Sequence, residues 1–210
     1  MQKTKKFENE ILAFAKQEMV EDQAHDINHV LRVVNIAKQL CVDEKGKYEI
    51  VMPAAYLHDC FSFPKGHPDR SESSTFAAKK ALVFLKSIGY PCVYSDGISQ
   101  AIMAHSYSAD IKPNTLEAKI VQDADRLDAL GAIGIARCLQ VSAKMGVALY
   151  NSEDAFCERR KADDRQFTID HFYVKLLNLV DTMNTRSAKI EAQKRTLFMK
   201  QYLNQLAREL

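Results

Sequence analysis

The sequence predicts an all-α protein, and three observations support that class. Apolar residues recur at spacings of three and four along most of the chain, which is the pattern of one helix face, and no stretch alternates as a strand would. Seven glycines and five prolines in 210 residues are few for a β-sandwich or a collagen-like protein. Apolar residues make up 47% of the chain and charged residues 27%, which is ordinary for a globular protein. We therefore expect one helical domain over residues 1–210.

The first helix places Phe7, Ile11 and Ala15 on one face and is followed by the polar stretch EDQAHD. A second helix begins after Asp26, which stands where an N-cap residue would. A third, strongly apolar helix covers about 48–60 and ends in AAYLHDC. The next stretch, FSFPKGHPDRSESS, contains two prolines and a glycine and is predicted to be a loop.

The fourth helix is expected to be capped by Ser71, Ser73 or Ser74 and to stop near Gly89. Two more helices follow, one containing IMAH and one running into DADRLDALGAIGIAR.

Residues 150–168 are polar and lack periodicity, which is typical of a long connection or a lid. Two helices, at about 169–182 and 184–208, are expected to close the chain.

Charge and cysteine content limit the partners and the compartment. The net charge is +2 with both signs interspersed, so neither a nucleic acid nor a membrane is expected as a partner, whereas a small anionic substrate is compatible. No run of about 18 apolar residues is present. The five cysteines are odd in number and show no CxxC spacing, which indicates free thiols. We expect a cytoplasmic protein.

Four residues on separate helices have the chemistry of a metal site. His58 and Asp59 are adjacent at the end of an apolar helix, His29 lies on the core-facing edge of its helix, and Asp125 follows an apolar pair. Each alone has a plainer explanation, such as a core histidine or a helix cap. Together, two imidazoles and two carboxylates suit a hard or borderline divalent ion and leave positions open for water and substrate.

The order H…HD…D, with PKxHPxRxxSS, AHSxS and EAKIVQDADRLxALGAIGxAR, resembles the HD superfamily of metal-dependent phosphohydrolases, in the form of a small bacterial subgroup. The resemblance covers about residues 20–185. It implies an HD-domain helical bundle with its core over that range and the C-terminal helix appended. It also implies one divalent metal ion, Mn before Mg, Fe, Ni or Co, with four ligands: His29, His58, Asp59 and Asp125.

Cationic residues next to this set are candidates for binding substrate phosphate. Lys65, His67 and Arg70 lie within a stretch of six residues in the loop that follows the HD pair and would clamp a phosphate chain. The plainer alternative is a solvated turn with incidental charges. Arg32, one turn beyond His29, is a further phosphate candidate, and a surface salt bridge is an almost equal alternative.

Four other residues are candidates for catalysis or for orienting the ligands. His105 is interpreted as a substrate contact or as a support for the ligands, with a buried structural histidine as a close rival. Asp128 shares a helix face with Asp125 and is a candidate general base. Asp26 and Glu72 are the other two candidates, and Asp26 has the alternative of serving only as the N-cap.

The resemblance implies a hydrolase, and because some relatives cleave nucleoside triphosphates to monophosphate and pyrophosphate, the substrate is expected to be a nucleotide. A phosphomonoesterase or phosphodiesterase of the same fold is the alternative, and a non-catalytic sensor of metal and nucleotide is a second. Gly89-Tyr90-Pro91 spells the GYP motif of cyclic-dinucleotide phosphodiesterases but follows HD too closely. A homodimer is considered as the oligomeric state.

Overall fold

The structure, a computed structural model, describes residues 2–18, 26–64, 67–106 and 109–210, and within these ranges the side chains from residue 6 onward. The α-helices in these ranges are α1 (Gln2–Glu18), α2 (Ile27–Asp43), α3 (Tyr48–Leu57), α4 (Ser73–Ser87), α5 (Ser95–His105), α6 (Leu116–Leu127), α7 (Gly131–Lys144), α8 (Thr168–Val174) and α9 (Arg186–Glu209). Short 3-10 helices cover Arg70–Glu72, Cys92–Tyr94 and Leu176–Thr182. Within these ranges the only strand-like pairing is an isolated bridge between Ala148 and Phe167. The all-α prediction is confirmed.

The chain forms two compact units, Met1–Asp125 and Arg126–Leu210, and the boundary lies inside α6. The expectation of a single domain stays a prediction.

The first unit is built around α3. Every residue of α3 from Ile50 to Leu57 is buried, as expected of a helix that is apolar on all sides. α1, α2 and α5 pack against it, and α4 packs against α5. Helix α3 is therefore the fixed element from whose C-terminal end the HD pair extends.

The proline inside α3 leaves one backbone carbonyl without an intrahelical donor, and a tyrosine hydroxyl supplies the missing hydrogen bond. Pro53 has no N–H, so the carbonyl of Glu49, four residues earlier, receives no bond from within the helix. The hydroxyl of Tyr90 donates to that carbonyl at 2.7 Å. The Tyr90 ring also packs edge-on against Phe7, with 5.0 Å between the ring centroids. The tyrosine of the GYP sequence therefore supports α3.

The predicted serine cap of α4 is wrong. The helix begins at Ser73, its N-cap residue is Glu72, and no side chain makes a cap hydrogen bond there. The reason is that the 3-10 helix Arg70–Glu72 runs directly into α4, so the Ser73 N–H is already bonded to the Arg70 carbonyl. The Ser73 hydroxyl instead accepts a hydrogen bond from the Phe63 N–H at 3.1 Å.

The second unit contains α7, α8 and α9. α7 packs against α9, and the 3-10 helix Leu176–Thr182 contacts both α8 and α9. The expected helix at 169–182 is thus divided into α8 and a 3-10 helix. Residues 150–167 contain no helix, in agreement with the predicted connection.

Two further expectations concern membranes and cysteines. No helix in the described ranges is both long and apolar enough to cross a membrane. All five cysteines are free, with Cys41 and Cys60 buried and Cys92 exposed.

Candidate metal centre

His29 is held in place by the N-cap of its own helix. Asp26 has an extended backbone conformation, and its Oδ1 accepts the His29 backbone N–H at 2.8 Å. This bond satisfies one of the amide groups that lack partners in the first turn of any helix. The predicted N-cap position of Asp26 is confirmed, and it fixes where the His29 side chain leaves α2.

His58 and His105 are both oriented by carbonyl groups at the ends of their helices. His58 is the C-cap residue of α3, and its Nδ1 lies 2.8 Å from the Ala55 carbonyl. His105 ends α5, and its Nδ1 lies 2.6 Å from the Ile102 carbonyl. Carbonyls in the last turn of a helix have no intrahelical donor, and a carbonyl can only accept. Both Nδ1 atoms therefore carry the proton, which leaves the lone pair of neutral His58 on Nε2.

The four predicted ligands come together in the first unit. His58 Nε2 lies 3.4 Å from His29 Nε2 and 3.4 Å from Asp59 Oδ2. His29 Nε2 lies 3.4 Å from Asp125 Oδ1 and 3.7 Å from Asp59 Oδ2. The distance from His58 Nε2 to Asp125 Oδ1 is 3.9 Å. These residues come from α2, the end of α3 and α6.

The separations fit a shared cation. Two donor atoms that each lie about 2.1 Å from one ion are roughly 3.0–4.2 Å apart, depending on the angle between the two bonds. The measured separations fall within that interval, and His29, His58 and Asp125 each offer a ligand atom within 4.8 Å of the others. The donor set of imidazole and carboxylate suits Mn, Fe, Ni or Zn more than an all-oxygen site would. The cluster can hold a divalent metal.

Burial divides the site into a closed side and an open side. His29 and His58 are almost fully buried, whereas the side chains of Asp59 and Asp125 are 17% and 27% exposed. Burial lowers the pKa of His58, which keeps its imidazole neutral and able to coordinate. For Asp125, burial alone would raise the pKa, but the hydrogen bond from His29 and the electrostatic effect of the neighbouring histidines together outweigh burial, so the pKa lies below the usual range. An ion would be approached from the carboxylate side.

His105 contacts the second oxygen of the HD aspartate. Its Nε2 lies 3.3 Å from Asp59 Oδ1, and its ring meets the His58 ring edge-on at 4.8 Å. Burial lowers its pKa, but the hydrogen bond with Asp59 and the negative charges of Asp59 and Asp125 together raise it by more. His58, Asp59 and His105 also form a second group within 4.8 Å. The predicted supporting role of His105 is compatible with this geometry and stays a prediction.

The cationic loop after HD, here called the basic loop, comprises residues 61–64 and 67–72. Lys65 lies outside the described residues. His67 stacks on the Phe63 ring with 4.5 Å between centroids and 10° between planes. Arg70 Nη1 donates to the Phe63 carbonyl at 3.0 Å. His67 and Arg70 thus both contact Phe63, which lies four positions after Asp59 in the sequence.

The other candidates have specific environments. Arg32 is half-buried, and its charge contributes to lowering the pKa of Asp26. Glu72 is exposed in the 3-10 helix that precedes α4. Asp128, in the second unit, is fully buried and accepts from Arg137 Nη1 at 2.8 Å. An ion pair therefore accounts for Asp128, and its role as a base stays a prediction.

Sequence reasoning missed the groups that orient the ligands. The contacts of the Ala55 and Ile102 carbonyls cannot be predicted from residue type, because every residue has a backbone carbonyl. A histidine in the last turn of a helix is only a weak signal for such a contact. Phe63 lies in the stretch that the sequence predicts to be a loop. A phenylalanine between a metal motif and a basic run is a signal that could have been used.

Comparisons with known proteins agree with this fold. The model of the HD domain matches residues 26–130, half of the chain. An uncharacterized protein of Bacillus subtilis (strain 168), YpgQ, is 35% identical over 194 residues, which cover 90% of this chain and 86% of YpgQ. The crystal structure of YpgQ in complex with ADP superposes with a TM-score of 0.75 at 31% identity, covering 98% of this chain and 95% of that one.

A crystal structure of an HD-superfamily hydrolase from Bacillus thuringiensis superposes with a TM-score of 0.76 at 33% identity and covers 98% of this chain and 97% of that one. With the HD model over half of its length, and with relatives above 30% identity over nearly all of it, this chain belongs to the HD-domain family and has the fold of the HD-superfamily hydrolases.

Proposed function

We propose that this protein is a metal-dependent phosphohydrolase that cleaves a nucleotide phosphoanhydride, converting a nucleoside triphosphate to the monophosphate and pyrophosphate. The observation that carries the proposal is the convergence of four donor atoms from distant parts of the sequence. Nε2 of His29, Nε2 of His58, Oδ2 of Asp59 and Oδ1 of Asp125 lie within reach of one cation.

His29, His58, Asp59 and Asp125 would hold the ion, and Mn is the metal proposed first. A divalent ion in such a site supplies Lewis acidity for activating water and for polarising a phosphoryl oxygen. The protein itself contributes by holding the ligand atoms in position before the ion binds. The buried His58 imidazole, with its Nδ1 engaged by the Ala55 carbonyl, loses little freedom when an ion binds, and such supporting contacts tune the ligands.

The basic loop would bind the phosphates. Arg70 offers a planar guanidinium that can contact phosphate oxygens bidentately, and His67 offers a ring N–H. A phosphate close to Asp59 needs such donors, because the carboxylates of the centre repel an anion. Fixed donors of this kind also stabilise the charge that develops on a leaving phosphate.

Glu72 is the first candidate base to test. Asp26 is engaged as the cap of α2, and Asp128 is engaged with Arg137. In the part of the chain that the structure describes, the Glu72 carboxylate has no hydrogen-bond or ion-pair partner, and it follows Arg70 by two residues. Its carboxylate is thus free to accept a proton from a water molecule.

The nucleotide part of the proposal is supported by a relative. YpgQ was crystallised with ADP, and it shares 31% identity with this chain in the superposed structures. A nucleoside diphosphate contains a phosphoanhydride, which a metal ion and the basic loop can bind, and it also carries a nucleobase. The same groups in this chain favour a nucleotide over a simple phosphomonoester.

A substrate panel tests the proposal. The purified protein, loaded with Mn, is incubated with nucleoside and deoxynucleoside triphosphates, monophosphates and cyclic dinucleotides, and pyrophosphate and phosphate are measured separately. The expected result is pyrophosphate release from triphosphates that disappears in Asp59→Ala. The matched control is Asp43→Asn, which removes an exposed carboxylate at the end of α2 and should leave the activity unchanged.

The outcomes separate the alternatives. Phosphate released from monophosphates would point to a phosphomonoesterase, and cleavage of cyclic dinucleotides would point to a phosphodiesterase. Tight nucleotide binding without turnover would point to a sensor. Activity that survives in Asp59→Ala would contradict the proposed centre.

A further inference from the structure

Phe63 contacts both described cationic side chains of the basic loop. Its ring stacks on the His67 imidazole, and its carbonyl accepts from Arg70 Nη1. Its N–H donates to the Ser73 hydroxyl at 3.1 Å, which ties the residue to the first turn of α4. The ring, the carbonyl and the amide of Phe63 each fix a different neighbour.

The contacts of His67 determine which of its nitrogens faces a ligand. The Asp69 backbone N–H donates to His67 Nδ1 at 3.1 Å, so Nδ1 acts as the acceptor. In the neutral imidazole the proton then lies on Nε2, which becomes a donor. The Asp69 carboxylate is 3.9 Å from Nδ1, too far for a hydrogen bond. With its ring plane fixed by Phe63, His67 presents an N–H in a defined direction.

Arg70 is constrained by the same residue. One of its guanidinium nitrogens is used on the Phe63 carbonyl, and its backbone N–H donates to the His67 carbonyl at 3.1 Å. A guanidinium has five N–H donors, so this single contact leaves four for a ligand. His67 and Arg70 are therefore linked through both backbone and side chain and would move together.

Two other aromatic rings pack against the Phe63 ring. Phe61 meets it edge-on at 5.0 Å and Phe76 at 5.3 Å, both within the range of favourable aromatic pairs. Phe61 and Phe76 also contact each other at 5.6 Å. Phe76 belongs to α4, so the three rings connect the basic loop to a stable helix.

We propose that Phe63 is a positioning residue of the phosphate site, which presents the Nε2–H of His67 and the guanidinium of Arg70 together to the phosphate chain of a nucleotide. The inference rests on the proposed function for the identity of the ligand, and on the contacts of Phe63 for the positioning. Phe63 touches no reacting atom and acts through His67 and Arg70. Without the Phe63 ring, the Asp69 N–H alone restrains the imidazole, which then rotates more freely, and ordering it again costs binding free energy.

Binding of two probes, ADP and inorganic pyrophosphate, tests the inference by titration calorimetry of the Mn-loaded protein. Phe63→Leu should weaken the binding of both probes by roughly three- to tenfold, the equivalent of one lost aromatic pair. Phe63→Tyr keeps the ring and should restore binding to within about twofold of the wild type. Because neither variant changes one of the four predicted metal ligands, the affinity for Mn should not change.

Phe76→Leu is the matched control, since it removes a ring of the same cluster that contacts neither His67 nor Arg70. It should weaken pyrophosphate binding by less than Phe63→Leu does, because Phe76 acts on His67 only through the Phe63 ring. Equal losses in Phe63→Leu and Phe76→Leu would overturn the inference, because they would show that general packing of the cluster matters. The inference would also be wrong if both variants lost affinity for ADP but not for pyrophosphate. The rings would then contact the nucleobase and would not position the phosphate donors.

The tautomer of His67 gives a readout that needs neither metal nor substrate. Long-range ¹H–¹⁵N NMR spectra of the neutral imidazole should show the proton on Nε2 in the wild type. In Phe63→Leu they should show a mixture of tautomers, because an imidazole that no longer stacks can rotate away from the Asp69 N–H that bonds to Nδ1. The same tautomer in both proteins would overturn the positioning role even if Phe63→Leu bound ADP weakly. Thermal unfolding of each variant checks that it remains folded.

The two proposals fail separately. If the wild type hydrolyses triphosphates but Phe63→Leu binds both probes as the wild type does, the positioning role is wrong and the function stands. If no substrate is hydrolysed but Phe63→Leu loses affinity and tautomer order, the function is wrong and the positioning role stands. A wild type that binds neither probe would contradict the phosphate site itself.

Discussion

The Asp26 side chain connects the start of α2 to His29, which is one of the four predicted metal ligands. Its Oδ1 accepts the His29 N–H, and its Oδ2 accepts the Asn28 side chain at 2.9 Å. Burial raises its pKa, but the His29 and Asn28 hydrogen bonds lower it by more, so Asp26 stays ionised at neutral pH. Loss of this cap would loosen the first turn of α2, in which His29 lies.

Asp26→Ala is expected to lower the free energy of unfolding by about 1 kcal/mol, the usual value of an N-cap. It should also weaken Mn binding by roughly tenfold, as the loss of a group that orients a metal ligand commonly does. Asp26→Asn retains an acceptor oxygen and should restore most of both quantities. Chemical denaturation and titration calorimetry measure them.

Thr185→Ala provides the matched control for this prediction. Thr185 is the N-cap residue of α9, and its hydroxyl accepts the Ala188 N–H at 3.4 Å. Its loss should destabilise the protein without any change in Mn affinity. If both cap variants weakened Mn binding equally, the effect of Asp26 would be one of general stability.

At the residue scale, the sequence predicted which side chains meet but not how they are oriented. His29, His58, Asp59 and Asp125 could be chosen because their types and order are distinctive. The bonds from Nδ1 of His58 and His105 to carbonyls three residues earlier depend on where each helix ends, and helix ends are set by tertiary packing. Such details are not encoded in any local pattern.

At the scale of the element, α3 shows how a proline can be accommodated in a buried helix. Pro53 would ordinarily weaken the helix, because the Glu49 carbonyl loses its donor. The Tyr90 hydroxyl replaces that donor from a different part of the first unit. The two residues should therefore be energetically coupled.

Tyr90→Phe is expected to reduce the free energy of unfolding by about 1 kcal/mol, since it leaves the Glu49 carbonyl without its partner. In a Pro53→Ala background the helix regains an N–H for that carbonyl, so the same substitution should cost less. The double-mutant cycle should give a coupling of roughly 0.5–1 kcal/mol. A coupling of zero in urea denaturation would show that the Tyr90 contact is not a substitute for the missing bond.

The segment 150–168 shows why part of the second unit could not be predicted. It has no apolar periodicity, and its order comes from polar contacts to two aspartates. Asp154 accepts the backbone N–H groups of Glu158, Arg159 and Arg160 at 2.9–3.1 Å. Asp170, in α8, accepts from Arg160 through both carboxylate oxygens, at 2.5 and 2.7 Å. A charge run such as ERRKADDR does not reveal which of its members pair.

Asp170 should make this unit sensitive to acid. Burial raises its pKa, but Arg160 and the Asp163 N–H lower it by more, so the folded-state pKa lies below the unfolded-state value of about 3.9. The stabilising contribution is therefore complete above that value and is lost as the pH falls through the folded-state pKa. We expect Asp170→Asn to be less stable than the wild type at pH 5–8, and the difference in urea midpoint to shrink below about pH 4. A difference that stayed constant down to pH 2 would contradict this assignment.

At the scale of the whole molecule, the candidate metal centre belongs to one of the two compact units. Its four predicted ligands and His105 all lie within Met1–Asp125. They come from α2, α5, α6 and the turn after α3, so an ion bound by them would join elements that are far apart in sequence. The all-α class followed from periodicity, whereas the division at Asp125 had no signal, because α6 continues through it.

Metal binding should therefore appear as thermal stability. An ion that binds only the folded state adds about 2.7 kcal/mol when its concentration is one hundred times the Kd, and for a chain of this size that raises the Tm by roughly 5–10 °C. We expect Mn to produce this rise in the wild type, EDTA to reverse it, and Asp125→Ala to abolish it. Asp170→Asn, which alters only the second unit, should begin from a lower Tm and still gain the Mn increment. An equal increment in Asp125→Ala would mean that Mn acts elsewhere on the protein, because a site with one of its four ligands removed cannot retain the affinity that the shift reports.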